Sequence, residues 1–175
     1  MSRVTKPLLL MLMAFALIGG GRRGEYEIKA AFLYKFASAI TWPETAFTSD
    51  EEPFIVGVLG EDPFEEDLEA VLEGKEIADR PLVLQRYEEL AVLRKSHVLF
   101  IAESEMDDLD EVLERVGKLP VLTVTDEEGR GDAAMISFRS KNRKIRFQMD
   151  VEAIEDAGMV VSEELIEVAK AQSGR

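Results

Sequence analysis

The chain has no cysteine and a single histidine, His97, among its 175 residues. The first absence removes disulfides, thiolate nucleophiles, iron–sulfur clusters and cysteine-ligated zinc together. The second means that a Ser-His-Asp triad would have to use His97, and that a multi-histidine metal site cannot be assembled. Basic residues are scarce as well: 21 Lys and Arg face 35 Asp and Glu, a net charge of −14. Nucleic acid is thereby excluded as a ligand, since affinity for it comes largely from phosphates neutralised by a basic surface. Long apolar runs are missing too. The one extended stretch, Leu8 to Ile18, falls far short of the roughly 20 residues that cross a bilayer.

What is present suffices for one folded domain. A chain of about 150 residues buries roughly two-thirds of its unfolded surface, so core packing needs no metal or crosslink. Arg3 and Lys6 precede the apolar run, which is closed by the small residues Gly19, Gly20 and Gly21. This is the pattern of a secretory signal peptide over residues 1–21, cleaved near residues 16–21, with a domain at 22–175 delivered to the periplasm. Losing Arg3 and Lys6 from 21 leaves 19 basic against 35 acidic residues, a net charge of −16. Such self-repulsion favours solubility and discourages contact with anionic lipid; a salty habitat is an equally good source of the acidity.

Periodicity then alternates between strand and helix. From Tyr26 to Ile40, the residues Ile28, Phe32, Leu33, Phe36, Ala37 and Ile40 form a broad helical stripe that must end near Thr41, because Trp42 precedes Pro43. The run Phe54 to Leu59 predicts a strand covered on both faces, followed by a helix capped by Asp62 and Pro63 and ended by Gly74. Further strands are expected at Leu82–Leu84, His97–Ile101 and Val121–Val124, with helices at Tyr87–Lys95 and from Ser104 to Val116. Met135–Phe138 and Ile145–Met149 alternate around Lys141-Asn142 and predict an antiparallel hairpin at one edge. A closing helix begins at Ser162. The fold class is therefore α/β: a three-layer domain with a mainly parallel sheet flanked by helices.

Chemistry is sparse. Gly57-Val58-Leu59-Gly60 lacks the spacing of a dinucleotide-binding turn and is read as a strand glycine and a turn glycine. His97, at the start of an apolar strand, is read as structural or exposed. The acidic loop Asp126 to Asp132 does not match a calcium-binding loop and is read as solvated. Arg130-Gly131-Asp132 receives no role. Adjacent acids such as Glu65-Glu66 and Asp107-Asp108 diverge on their helices and cannot divide acid and base work. No catalytic, cofactor or metal residue is assigned. Among the aromatics, Trp42, Pro43 and Phe47 in the connecting segment, with Phe32 behind them, are the candidates for contact with a partner. A rival reading places a small-molecule cleft at the strand ends near Gly60, Ala102 and Asp126.

The run Tyr26-Glu27-Ile28-Lys29-Ala30-Ala31-Phe32-Leu33-Tyr34-Lys35-Phe36, closed by Ile40-Thr41-Trp42-Pro43, resembles the opening helix and Trp-Pro stop of the YfiR family of exported bacterial proteins. Val58 to Phe64, Gly74-Lys75, Arg80-Pro81, Ser96 to Ile101, Val121 to Asp126, Ile145-Arg146-Phe147, and the ending through Asp150, Gly158, Ser162, Leu165 and Ala169 look like that family's segments in the same order. The resemblance implies a periplasmic, non-enzymatic regulator without a cofactor. Such a regulator would restrain the periplasmic domain of an inner-membrane signalling protein, typically a diguanylate cyclase, and so lower cyclic-di-GMP and biofilm formation. An outer-membrane lipoprotein would sequester it, and a homodimer is left open. The alternative from another class is a periplasmic small-molecule-binding sensor. The chain departs from the family at Ala133-Ala134-Met135-Ile136, where a Gly-Gly-Met-Ile turn is usual, at Met149-Asp150, where Ile-Asn is usual, and in lacking cysteine pairs. These departures count against redox control and against a partner surface near the hairpin. Because other members stand beside other kinds of signalling or transport protein, the partner's identity does not transfer.

Overall fold

A computed structural model describes residues 21–92, 95–126, 133–141 and 144–173. The leader, the acidic stretch after Asp126 with Arg130-Gly131-Asp132, and Asn142 at the hairpin tip lie outside the described residues. The first helix, α1 (Gly21–Ala39), runs straight into a short strand, β1 (Ile40–Thr41). Strand β2 (Phe54–Leu59) is buried along its whole length, as a continuous apolar run demands. Helix α2 (Asp67–Leu72), the two-residue β3 (Glu76–Ile77) and β4 (Arg80–Tyr87) follow, then β5 (Val98–Ile101), α3 (Leu109–Val116) and β6 (Leu122–Thr125). The chain closes with β7 (Ile136–Lys141), β8 (Lys144–Met149), α4 (Val151–Asp156), β9 (Val160–Val161) and α5 (Glu163–Ser173).

Seven strands form one sheet in the order β3-β4-β2-β5-β6-β7-β8, while β1 and β9 pair antiparallel beside it. The core strands β4, β2, β5, β6 and β7 are mutually parallel, and the order reverses direction once, between β2 and β5. Alternate side chains feed two cores. Val56, Val58, Val98 and Phe100 join α1, α2 and α5 on one face; Leu59, Leu99 and Ile101 join Leu109, Val112 and Val116 of α3 on the other. Gly57 is required here by space. A Cβ at that position would sit 2.5 Å from Ser96 Oγ and 3.0 Å from the Tyr87 ring.

Two expectations need correction. The Asp62-Pro63 cap does not open a helix: Asp62 Oδ1 accepts the Phe64 N–H at 2.8 Å in a local turn, Glu65 adopts φ +54°, and α2 begins only at Asp67. No helix starts at Tyr87. Strand β4 continues through that residue because Gly60 N–H bonds its carbonyl at 2.8 Å, and only a 3-10 turn, Leu90–Val92, follows. The expected antiparallel hairpin is present at the sheet edge, β7 pairing with β8, while β7 itself runs parallel to β6. Finally, α4 and the β1–β9 pair are additions. Asp150 Oδ1 caps α4 by accepting the Ala153 N–H at 3.0 Å.

Candidate partner-binding surface

The segment leaving α1 is fixed by a chain of rings. Trp42, half-buried, packs edge-on against the buried Phe54 at 4.9 Å, and its indole N–H donates to the carbonyl of Pro120 at 3.2 Å. Phe54 stacks on His97 at 4.7 Å, and His97 stacks on Phe47 at 4.6 Å. The Arg80 guanidinium covers Phe47 at 3.9 Å and donates to the carbonyls of Ser49 and Glu52 at 2.8 and 2.6 Å. Pro43, with φ −68°, starts the 3-10 turn Glu44–Ala46, closed by Ala46 N–H to Pro43 O at 2.9 Å. Trp42, Pro43 and Phe47 therefore sit partly exposed on a held loop.

Phe32 is placed elsewhere. It lies in the core against Phe36, Phe138 and Phe147 at 5.8, 6.0 and 5.6 Å, so the patch comprises Trp42, Pro43 and Phe47 without it. Its helical stripe already pointed inward.

His97 is the residue whose role sequence spacing did not show. Its Nδ1 accepts the Ile55 N–H at 2.9 Å, which leaves the proton on Nε2, 3.2 Å from the carbonyl of Ala46. Its own N–H and C=O bond Ile55 O and Leu122 N at 2.8 Å each. One buried residue thus ties β2, β6 and the aromatic loop together. Burial, reinforced by the nearby Lys95 ammonium, pushes the imidazole down to about 4, so the ring is neutral at ordinary pH. Beside it Glu52 meets Lys95 at 2.8 Å. Burial alone would raise this carboxyl, but Lys95 and the N–H and hydroxyl of Thr48 outweigh it and hold it at about 2.

An open groove of about 460 Å³ adjoins the loop, bounded by Thr45 and Ala46, by Arg115 and Val116 of α3, and by Leu119 and Pro120. Leu119, 57% exposed, is one of three large apolar side chains that stand in solvent among the described residues.

The strand ends of the rival reading are differently built. A Cβ at Gly60, where φ is +90°, would lie 2.3 Å from Ser104 Oγ and 2.6 Å from Glu105 Cγ, and Ala102 is buried. The reversal point between β2 and β5 is thus filled by side chains. Asp126 faces inward: it accepts from Tyr26 Oη at 2.6 Å and from Lys29 Nζ at 2.5 Å, and Lys29 also meets Glu25 at 2.5 Å. Lys29, only 2% exposed, was not singled out from sequence; its place on the apolar stripe of α1, four residues after Glu25, was the available signal. Glu65, Glu66, Asp107 and Asp108 are exposed. No group of three or more acidic or histidine side chains able to hold a metal ion occurs among the described residues, and no described helix is long and apolar enough to cross a membrane.

These features define a class: an α/β domain whose distinctive surface is an aromatic loop held from behind by a neutral histidine. The chain belongs to the YfiR/HmsC-like family, whose profile matches residues 26–170. This family is regulatory, periplasmic and linked to diguanylate cyclase signalling. No curated protein matches the chain.

Proposed function

We propose that the mature chain binds the periplasmic domain of a membrane-bound signalling protein, a diguanylate cyclase, and holds it in its less active conformer, lowering cyclic-di-GMP without itself making or breaking bonds. Family membership supports the class of partner. The observation that supports the contact site is that the partly exposed Trp42, Pro43 and Phe47 adjoin a groove lined in part by the exposed Leu119. Aromatic anchors on a rigid loop lose little entropy on binding and dominate interface energies. A regulator shifts its target only by differential affinity for the two conformers, and a tenfold preference corresponds to about 1.4 kcal/mol. Crosslinked capture from intact cells tests the reading. A membrane signalling protein recovered by the wild-type chain and lost with Trp42→Ala supports it, whereas equal capture by both overturns this contact site.

A further inference from the structure

The two edges of the sheet are finished differently. At the β8 edge, α5 lies alongside and Gln172 Oε1 accepts the outward N–H of Phe147 at 3.0 Å. At the other edge β3 covers only the start of β4, pairing with Arg80 and Pro81. The direction of each β4 main-chain group follows from two bonds: Tyr87 O accepts from Gly60 on the β2 side, and Leu82 N–H donates to Lys75 O on the outer side. Alternation then turns Val83, Gln85 and Tyr87 toward β2, and Leu84 and Arg86 outward. The N–H and C=O groups of Leu84 and Arg86 find no backbone partner among the described residues. Val83 on the same strand is exposed.

We infer that this edge is a second docking surface, to which an extended segment of a partner protein bearing lysine or arginine adds as a further strand. An unpaired edge is a template for strand addition. The charge around it selects the occupant. Glu88 and Glu89 follow β4, Glu76 and Asp79 flank its start, and Glu65 offers its carbonyl to Arg86 at 3.0 Å; none of these five carboxylates has an ion pair among the described residues. Among the described residues, the cations nearest the edge are already engaged. Arg86 is held by Asp62 and Glu69 at 2.5 and 2.6 Å, Arg80 by two carbonyls and Phe47, and Lys75 by the carbonyl of Val71 and the Tyr34 ring. A second copy, itself at −14, would bring the same carboxylates to the seam and is disfavoured.

The test follows amide exchange by NMR in the mature chain with three synthetic decapeptides: alternating Lys and Val, alternating Glu and Val, and alternating Lys and Pro, the last retaining charge while resisting strand pairing. The Lys-Val peptide is expected to slow exchange at Leu84 and Arg86 about tenfold and to bind about tenfold more tightly than the Glu-Val peptide, as charge complementarity at an edge requires. Leu84→Pro removes the outward donor and should abolish the protection. Should that variant not fold, Val83→Lys places a like charge beside the seam and should weaken binding several-fold. Trp42→Ala should leave the protection unchanged, which separates this surface from the aromatic loop. Three results overturn the inference: no protection from the Lys-Val peptide, equal binding by the Lys-Pro peptide, or protection that grows with protein concentration in the absence of peptide, which would seat a second copy on the edge.

Discussion

The Nε2 of His97 lies 3.2 Å from the carbonyl oxygen of Ala46, and this contact joins the start of β5 to the loop that carries Trp42, Pro43 and Phe47. The imidazole can donate there only while its Nδ1 accepts from Ile55, so both contacts belong to one neutral tautomer. Replacing His97 by glutamine retains a donor for Ala46 but leaves the buried Ile55 N–H without its acceptor. A loss of about 1–3 kcal/mol is expected, read as a lower urea midpoint at unchanged m-value.

Acid should act through the same ring. The folded-state value, about 4, lies below the ordinary 6.5, so as pH falls the unfolded chain takes up the proton first. The stabilisation is complete above pH 6.5, declines between 6.5 and about 4, and is constant below that. Its size is about 3 kcal/mol. Glu52 works in a lower window: its contribution is present above 4.5 and lost as pH falls toward 2. Urea unfolding of wild type and His97→Gln across pH 4 to 7 should show the difference between them shrinking with acidity; a constant difference contradicts the assignment.

Much of this arrangement was legible in the sequence because it rests on local periodicity. The continuous run Phe54–Leu59 could only be a strand covered on both faces, and the Trp42-Pro43 step had to end the first helix. What escaped was set by tertiary contact. Tyr87 is a strand residue because its carbonyl meets Gly60, and Glu65 leaves the helical region although Asp62-Pro63 is a good local start signal. The site divides in the same way. Trp42 and Phe47 could be named from their place in a connecting segment, but no spacing rule places His97 behind that loop or Lys29 under Asp126, since His97 and Ala46 are 51 residues apart and Lys29 and Asp126 are 97 apart.

The Lys29–Asp126 pair should be costly to break from one side. Lys29→Met leaves the largely buried Asp126 carboxylate without its cation, with an expected loss of about 3–5 kcal/mol. Adding Asp126→Asn removes that stranded charge and should restore part of the loss. Thermal unfolding of both single variants and the double variant measures the coupling; additive losses would mean the pair is not energetically linked.

Core and surface apolar residues should separate cleanly. Phe36, fully buried among Phe32, Phe138 and Phe147, is expected to cost about 3–5 kcal/mol when cut to alanine. Leu119→Ser, at an exposed position beside the groove, should change stability by less than about 0.5 kcal/mol while weakening partner capture. A stability loss as large as that of Phe36 would place Leu119 in the fold rather than at an interface.

We propose that this protein acts by holding a membrane signalling protein through its aromatic loop. Cellular cyclic-di-GMP, measured after gene deletion and after complementation with wild type or Trp42→Ala at equal protein level, tests it most directly. The account predicts a rise on deletion, restoration by wild type, and a persistent rise with the folded variant. Unchanged cyclic-di-GMP on deletion, or full restoration by Trp42→Ala, would contradict it.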